Sequence, residues 1–428
     1  MDENVHDRIR ILDRWDVRRH RLPSGLAVLL LEDRTSPLIS YHTWFGVGSR
    51  HEKQGKTGLA HLFEHLMFES TANHPSGKFD RELERFGADT NAATWLDWTY
   101  YHETFPPEAL DLVLTFEQDR MVNLILDEGV VEREKSVVMN ERKYRVEDRI
   151  EGQIEEVMYR TAFKVNPYKH PTIGWMEDIK GFTVEDCRDF YKTFYSPGNA
   201  VIAVAGNFEH DELLGRIEKA YGGIPGQKIP EEIVGQEPVQ ETERRVTFSK
   251  EVSASKVAVG YLAPALEHFD NACLTILSVI LCGGESGRLV RRFIHREEIA
   301  SDVISWLGKF KLPALFEFHV DLRKDQPPDR AIALLDEEID KLGREGVSEV
   351  EMSTARNRVL LGTYGGFLGV GGKAAALGFY ETVTGDCNTI TTRLEDLRRV
   401  TAEDVRAAAG KYFDPCKRTI VTVMPAKP

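Results

Sequence analysis

The chain has 428 residues, 42% of them hydrophobic, and a formal net charge of −14 at pH 7. This length and apolar fraction suffice for buried cores in two or three domains. The negative charge, which no Lys/Arg-rich block offsets, argues against a nucleic-acid-binding surface, and the longest apolar run, Leu26–Leu31, is far too short to span a bilayer.

The start of the sequence and the cysteines indicate the compartment. "MDENVHDRIRILDRWDVRRH" alternates charged residues and has no apolar stretch of the kind found in signal peptides. The cysteines are scattered and never occur in a C-x-x-C spacing, which is typical of thiols in a reducing compartment. We therefore predict a cytoplasmic protein, or a periplasmic or organellar one if a leader has been removed. The five cysteines are Cys187, Cys273, Cys282, Cys387 and Cys416.

The first predicted elements are strands and helices. Leu26–Leu31 and Leu38–Gly46 are apolar, and we expect them to pair as strands around "EDRTSP". "ADTNAATWLDWTYYHETF" (88–105) is rich in Thr, Trp and Tyr and predicts two strands with a turn near Leu96–Asp97. Helical spacing predicts helices in "SGKFDRELERFG", "PEALDLVLTFEQDRMVN" and "EGVVEREKSVVMNERKYRVED".

"GLAHLFEHLMFES" (58–70) contains two histidines and a glutamate in H-x-x-E-H order. On a helix, His61 and His65 are one turn apart, so both imidazoles can reach one ion, and Zn²⁺ suits such a pair. Glu64 points to the same side, where it can accept a proton as a general base. The alternative is two histidines hydrogen-bonded locally on an amphipathic helix, and the motif alone does not decide between them.

Two glutamates later in the chain can supply a third ligand. Glu134 and Glu141 are seven residues apart, which is two helical turns and one face. Glu141 would complete a His₂Glu set for one zinc ion, and Glu134 would lie behind it as an acceptor for a ligand imidazole N–H. The alternative is a solvated helix face, against which the apolar residues Val137 and Val138 indicate a packed helix.

An internal repeat organises the chain. "TVEDCRDFYKTFYSP" (183–197) recurs without gaps as "TAEDVRAAAGKYFDP" (401–415). Each copy begins with a helix-start signal, Thr followed by acidic residues, and precedes a β-rich run. Between the copies, residues 224–245 have the Pro/Gly/Glu-bearing composition of a linker. We therefore predict two related halves, residues 1–223 and 246–428, with the metal site in the first half only.

Two glycine-rich segments of the second half do not match the motifs that they approach. "YGGFLGVGGKAA" (364–375) lacks the glycine spacing and the Ser or Thr of a phosphate loop, so we expect a flexible or closely packed loop there. "GGESGR" has Arg288 where a serine hydrolase has its last glycine. These segments therefore indicate neither phosphate binding nor a serine hydrolase.

Together these motifs resemble the inverzincin peptidases of the pitrilysin/insulinase family, and most closely the mitochondrial-processing-peptidase-like branch with its zinc-bearing subunit. In that family the H-x-x-E-H motif is followed by an E-x₆-E helix, and the family spacing lands on Glu141. "GVGSRHE" (46–52), "NAATWLDWTYY" (91–101) and "GGESGRL" (283–289) are similar to family segments too. The resemblance implies zinc ligands His61, His65 and Glu141, the base Glu64 and the supporting Glu134.

The resemblance also implies a fold and a substrate site. Each half would be α+β, a mainly antiparallel sheet covered by helices, and the two halves, joined by the linker, would close like a clam around a chamber. "TNAAT" (90–94) would lie at a sheet edge beside the metal, where an extended peptide can add as one more strand. Asn91 would offer its amide to the substrate backbone or serve only its own strand. The substrate-binding candidates are Asn91, Ala92, Ala93 and Thr94.

One family element is missing from the second half. Self-sufficient members carry an arginine and a tyrosine, in a segment resembling R-E-K-x-G-L-A-Y, that help to bind substrate and stabilise the oxyanion. The corresponding "IHREEIASDVIS" (294–305) has Ile294 and Ser301 at those positions, and neither can donate a charge-assisted hydrogen bond. We therefore expect a sister chain of the same family to supply the Arg/Tyr pair. A degenerate enzyme is the alternative.

The sequence thus predicts a zinc metalloendopeptidase that hydrolyses peptides or short unfolded segments, as the catalytic subunit of a heterodimer. One alternative is a non-catalytic structural subunit of a processing-peptidase-like assembly. The other is a metal-dependent hydrolase of non-peptide substrates.

Overall fold

A computed structural model describes residues 5–231 and 234–426. The strands are β1 (Val5–Ile11), β2 (Trp15–Arg21), β3 (Ala27–Glu32), β4 (Ile39–Phe45), β5 (Asp89–Thr94), β6 (Thr99–Phe105), β7 (Ala200–Gly206), β8 (Arg244–Lys250), β9 (Lys256–Ala263), β10 (Ala300–Leu307), β11 (Ala314–Leu322) and β12 (Arg418–Pro425).

The helices are α1 (Leu59–Leu66), α2 (Lys78–Glu84), α3 (Leu110–Val122), α4 (Glu128–Arg142), α5 (Ile150–Ala162), α6 (Met176–Lys180), α7 (Val184–Phe194), α8 (His210–Tyr221), α9 (Phe269–Cys282), α10 (Arg288–Val290), α11 (Pro328–Glu345), α12 (Glu349–Gly365), α13 (Val370–Thr384), α14 (Thr389–Arg399) and α15 (Ala402–Tyr412).

The chain forms two compact units that are not contiguous in sequence. Within the described residues, unit 1 comprises 5–143, 170–231 and 365–391, and unit 2 comprises 144–169, 234–364 and 392–426. Each unit contains one sheet with helices packed on it, so the predicted α+β class is confirmed. The linker limits 224–245 stay a prediction about the two related halves, and Arg244 and Arg245 already belong to β8.

The sheet of unit 1 has the strand order β1-β2-β3-β7-β4-β6-β5. Its pairs are antiparallel except for β3 with β7. The prediction that β3 and β4 pair with each other is therefore wrong, because β7 lies between them. All seven residues of β7 are buried, and a strand of this kind needs a neighbour on both edges. Residues 95–98 form the predicted turn between β5 and β6.

The sheet of unit 2 has the order β10-β11-β9-β12-β8, with only β12 and β8 parallel among its described pairs. Helix α5 packs on β8, β9 and β12 of this sheet, whereas α13 packs on β3, β4 and β7 of unit 1. Each sheet thus receives one helix from the other half of the sequence. A sheet must cover its apolar face with a second layer, whatever part of the chain supplies it.

Residues 370–375 are helical, so the loop predicted over 364–375 is wrong in that part. Glycine is tolerated in α13 because the helix lies close to the sheet of unit 1. A Cβ on Gly378 would collide with the indole of Trp44, and Gly371 lies against the Ser40 hydroxyl. Close approach to a neighbouring layer outweighs the helix-weakening effect of glycine here.

The two copies of the internal repeat share the same local structure. Thr183 and Thr401 cap α7 and α15, and each forms a capping box with the aspartate three residues later. The strands that follow are β7 and β12, as the β-rich runs predict. In the described parts of the chain, no helix combines the length and the apolar character that a membrane crossing requires.

Candidate metal centre

Helix α1 carries the two histidines. Its apolar residues Leu62, Phe63 and Leu66 are buried, which fixes the face of the helix that points away from the core. Tyr101 on β6 donates a hydrogen bond to the carbonyl of Phe63 at 2.9 Å. The rings of His61 and His65 lie with their centroids 5.2 Å apart, so the predicted spacing of one helical turn is realised.

Helix α4 carries the two glutamates. Asp127 begins the helix, since its side chain accepts a hydrogen bond from the N–H of Val130 at 2.9 Å. Val138 is completely buried and anchors the helix to the core, whereas Val137 is 43% exposed and does not. Burial of Val138 and of Glu134 therefore sets the rotation of α4.

The two helices bring three potential ligands together. Glu141 Oε2 lies 3.2 Å from Nε2 of His65 and 3.7 Å from Nε2 of His61. One ligand atom from each of the three residues lies within 4.8 Å of the other two. Glu134 is on the other side of the imidazole, with Oε2 3.7 Å from Nδ1 of His65. The structure thus groups His61, His65 and Glu141 and places Glu134 behind His65.

Burial and neighbouring charges both shift the pKa values of His65 and Glu134. Burial by itself would lower the pKa of His65, but its hydrogen bond to Glu141 and the nearby carboxylates raise that pKa above its usual value. Burial raises the pKa of Glu134, and the charge of Glu69 acts in the same direction. A cation among these carboxylates would offset their mutual repulsion.

The residues present fit a zinc ion. Two imidazoles with Nε2 atoms facing one carboxylate oxygen are the His₂Glu donor set of catalytic zinc sites. Glu134 Oε2, 3.7 Å from Nδ1 of His65, lies on the side where an acceptor favours the tautomer protonated at Nδ1, which leaves the lone pair of Nε2 for a metal. The donor chemistry and the side of each imidazole that faces Glu141 therefore agree with metal binding.

Glu64 lies between the two histidines in the sequence of α1 and is partly exposed. It is not one of the three grouped ligands. Tyr100 on β6 has a pKa raised mainly by burial and further by the charge of Glu64, which locates this carboxylate near β6. A carboxylate that is accessible and adjacent to the ligand group is suited to proton transfer.

Strand β5 forms an edge of the unit 1 sheet and contacts α1. The hydroxyl of Thr94 lies 3.5 Å from the carbonyl of Ala60 on that helix. Asn91 is exposed, and its Oδ1 accepts a hydrogen bond from the N–H of Ala92 at 2.8 Å. The predicted substrate strand is thus an edge strand beside α1, and the Oδ1 atom of Asn91 is used within its own strand.

A second group of potential ligands lies elsewhere in unit 1, formed by Glu381, Asp386 and Cys387. Arg19 Nη2 lies 2.5 Å from Glu381 Oε1, and Glu381 Oε2 accepts the N–H of Cys387 at 3.0 Å. Burial raises the pKa of the Cys387 thiol to about 12. Both oxygens of Glu381 already have partners in Arg19 and the main chain, which favours a structural role for this group.

The sequence by itself indicates no role for Glu52, the last residue of the family-like segment "GVGSRHE". Both oxygens of its buried side chain accept hydrogen bonds from the start of α1. Glu52 lies six residues before the N-cap Gly58, outside the positions where a side chain usually caps a helix, so local sequence rules do not predict this contact.

On a fold of two α+β units, the H-x-x-E-H helix and the E-x₆-E helix bring three possible ligands together, as the resemblance to inverzincin peptidases implies. Two family models match the chain. The one described as "Insulinase (Peptidase family M16)" covers residues 27–175, and the one described as "Peptidase M16 inactive domain" covers residues 181–359. The chain belongs to the M16 peptidase family, the pitrilysin/insulinase family that the motifs resemble.

Individual relatives agree with this assignment. The zinc protease PqqE of Helicobacter pylori is 29% identical over 423 residues, 94% of this chain and 92% of that protein. A probable mitochondrial-processing peptidase subunit beta of Arabidopsis thaliana is 25% identical over 363 residues, 82% of this chain and 67% of that protein. The crystal structure of a protease from Helicobacter pylori matches with a TM-score of 0.90 at 26% identity, over 96% of this chain and 100% of that chain. Relatives named zinc proteases support a zinc-dependent peptidase.

Proposed function

We propose that this chain is a zinc metalloendopeptidase in which His61, His65 and Glu141 hold one zinc ion. The observation that carries the proposal is the convergence of the three ligand atoms within 4.8 Å of one another, from two helices far apart in sequence. A solvated helix face would not bring a carboxylate to 3.2 Å from an imidazole nitrogen that is largely buried.

Glu64 is the general base of the proposed reaction. It accepts a proton from the attacking water and passes it to the amine of the leaving peptide. When bound, zinc supplies the positive charge that polarises the scissile carbonyl and acidifies that water. Glu134 acts on His65, whose imidazole it holds from the Nδ1 side.

The substrate is a peptide or a short unfolded segment in extended form. The exposed edge of β5 offers main-chain groups to such a segment, and the contact of β5 with α1 keeps the scissile bond near the ligands. Asn91, Ala92, Ala93 and Thr94 would line this contact. When a peptide binds through its main chain as an added strand, only every second side chain faces the enzyme. Peptides of varied sequence can therefore bind in this way.

The proposed active form is a heterodimer of the mitochondrial-processing-peptidase type, in which this chain bears the zinc. Ser301, at the family's tyrosine position, is exposed on β10 and donates a hydrogen bond to the carbonyl of Asp321 at 3.2 Å. Ile294 has no polar group to offer. A sister chain would bring the Arg/Tyr pair, and the cytoplasmic location stays a prediction.

Metal analysis combined with a peptide-cleavage assay tests the function. The protein, mixed with its sister chain if it has one, should cleave an unstructured peptide and lose that activity with a chelator. Glu64→Gln should retain one zinc per chain but lose about 10²–10⁴ in kcat, because it removes the base and keeps every ligand. Wild-type cleavage rates in Glu64→Gln would refute the mechanism. Zinc binding without cleavage of any peptide would favour the non-catalytic structural subunit.

A further inference from the structure

Helix α1 has an unusual beginning. Its first flanking residue, Gly58, has a left-handed backbone with φ of 99° and no side chain that could cap the helix. The N–H of Gly58 donates to Glu52 Oε2 at 2.7 Å, and the N–H of Ala60 donates to Glu52 Oε1 at 2.7 Å. One carboxylate from outside the helix therefore satisfies two main-chain donors at its positive end.

The capping carboxylate is itself held in place. The Glu52 side chain is fully buried. Two residues earlier, Arg50 forms a buried ion pair with Asp97 in the turn between β5 and β6, with 2.7 Å from Nε to Oδ1. The N–H of Arg50 also donates to the carbonyl of Leu96 at 3.1 Å. Glu52 is thus fixed to the hairpin that contains the edge strand β5.

The position of this cap matters because α1 is short. The helix has eight residues, about two turns, and Ala60 immediately precedes His61. Isolated helices of this length are not stable, so the first turn depends on tertiary contacts. A first turn that frays would move His61 away from Glu141, whereas His65 in the second turn would stay anchored.

We infer that Glu52 is a positioning residue that fixes the first turn of α1 and thereby holds His61 in register with His65 and Glu141. The inference deepens the proposed function, on which it rests for the role of His61. It requires no contact between Glu52 and the metal or the substrate. Its effect is on the geometry of a ligand.

Two variants test this role. Glu52→Gln keeps the shape of the side chain but places an NH₂ donor against one of the two N–H groups. Glu381→Gln is the matched control, because Glu381 is also a buried carboxylate of unit 1 that accepts a main-chain N–H, from Cys387, outside α1. Both variants should lower the melting temperature, so a general loss of stability is common to them.

Hydrogen exchange in the zinc-free protein is the first readout. Glu52→Gln should raise the exchange rate of the peptide covering residues 58–66 at least tenfold, and Glu381→Gln should leave it unchanged. This readout does not depend on zinc or on peptidase activity, so it separates failure of this inference from failure of the proposed function. Unchanged protection of residues 58–66 in Glu52→Gln would overturn the inference.

Zinc affinity is the second readout, measured by competition with a chromogenic chelator. Glu52→Gln should weaken binding about 10- to 100-fold, the range of residues that orient a ligand. Glu381→Gln should bind zinc like the wild type. Equal losses in both variants would show a merely structural effect and would also overturn the inference.

Discussion

The carboxylate of Glu134 lies 3.7 Å from Nδ1 of His65, on the side of the imidazole opposite to Glu141. Two glutamates of the same helix therefore lie on opposite sides of the His65 imidazole. They are seven positions apart on one continuous α-helix, which places them two turns apart on the same face. The arrangement assigns different tasks to two residues of the same type.

The first prediction separates these tasks. Glu141→Gln should weaken zinc binding more than Glu134→Ala, because it changes a ligand, whereas Glu134→Ala should cost about 10- to 100-fold through the orientation of His65. Zinc dissociation constants from chelator competition check the order. Glu132→Gln, a largely exposed glutamate on the same helix, is the control and should bind zinc normally. A Glu134→Ala affinity equal to wild type would contradict the supporting role.

The second prediction concerns Gly174, whose φ is 82°. A Cβ at this position would collide with the carbonyl of Thr57 just before α1. The main-chain N–H of the next residue, Trp175, donates to Thr57 Oγ1 at 3.0 Å. The guanidinium of Arg142 on α4 lies 5.7 Å from the centroid of the Trp175 ring. This loop therefore contacts α4 and the residue just before α1, and these two helices carry the proposed zinc ligands.

Gly174→Ala should destabilise the protein by about 2–4 kcal/mol, because it combines an unfavourable backbone with a steric clash. It should also weaken zinc binding. Gly385→Ala is the control, since Gly385 has φ of 79° but open space around its Cβ position. The control should cost about 1 kcal/mol and leave zinc affinity intact. Thermal unfolding and zinc titration of both variants check these expectations. Equal zinc affinities of the two variants would show that this loop does not contribute to zinc binding.

The third prediction concerns the substrate strand. An extended peptide bound to the inactive variant Glu64→Gln should run antiparallel to β5 and protect from exchange those main-chain N–H groups of residues 91–94 that point away from β6. Strand β1 is the internal control, because it forms the opposite edge of the same sheet and should stay unprotected. Protection of β1 but not of β5 would place the substrate elsewhere.

The fourth prediction concerns the partner. The purified chain should bind zinc but cleave peptides poorly, because the loss of an oxyanion donor costs about 10²–10³ in rate. A sister chain of the family that lacks H-x-x-E-H should restore activity on mixing. The same sister with its arginine and tyrosine replaced should not. Full activity of this chain alone would refute the heterodimer.

The fifth prediction concerns pH and stability in unit 2. Arg288, the residue that breaks the serine-hydrolase pattern, forms a two-pronged ion pair with Glu351 at 2.7 and 2.9 Å. Its hydrogen bond lowers the pKa of Glu351 from 4.5 to about 2, against the effect of burial. Because the folded pKa lies below the unfolded one, the stabilisation is complete above pH 4.5 and is lost as the pH falls toward 2.

Glu351→Gln should therefore lower the free energy of unfolding at pH 7, by about 1–2 kcal/mol after allowance for partial exposure, and have little effect near pH 2. Urea unfolding at the two pH values measures this difference. Glu403→Gln is the control, because Glu403 is exposed and its ion pair with Arg406 is long, at 3.5 Å. A loss for Glu351→Gln that does not depend on pH would contradict the ionic origin.

Several features of this protein could be predicted from neighbouring residues alone. The helical positions of His61 and His65, the face shared by Glu134 and Glu141, and the caps at Thr183 and Thr401 depend on groups three to seven residues apart. Helix geometry fixes such separations wherever the helix lies. The strand β7 is equally clear, because a run of six apolar residues followed by a glycine has few alternatives to burial.

The tertiary structure alone decided which distant segments meet. Nothing within "EDRTSP" shows that β7 inserts between β3 and β4, and nothing near Glu52 shows that its oxygens reach the N–H groups of Gly58 and Ala60. The exchange of α5 and α13 between the sheets is of the same kind. Such choices depend on which apolar faces and main-chain donors must be covered across the whole chain. Local sequence sets the elements and their chemistry, and long-range burial decides their neighbours.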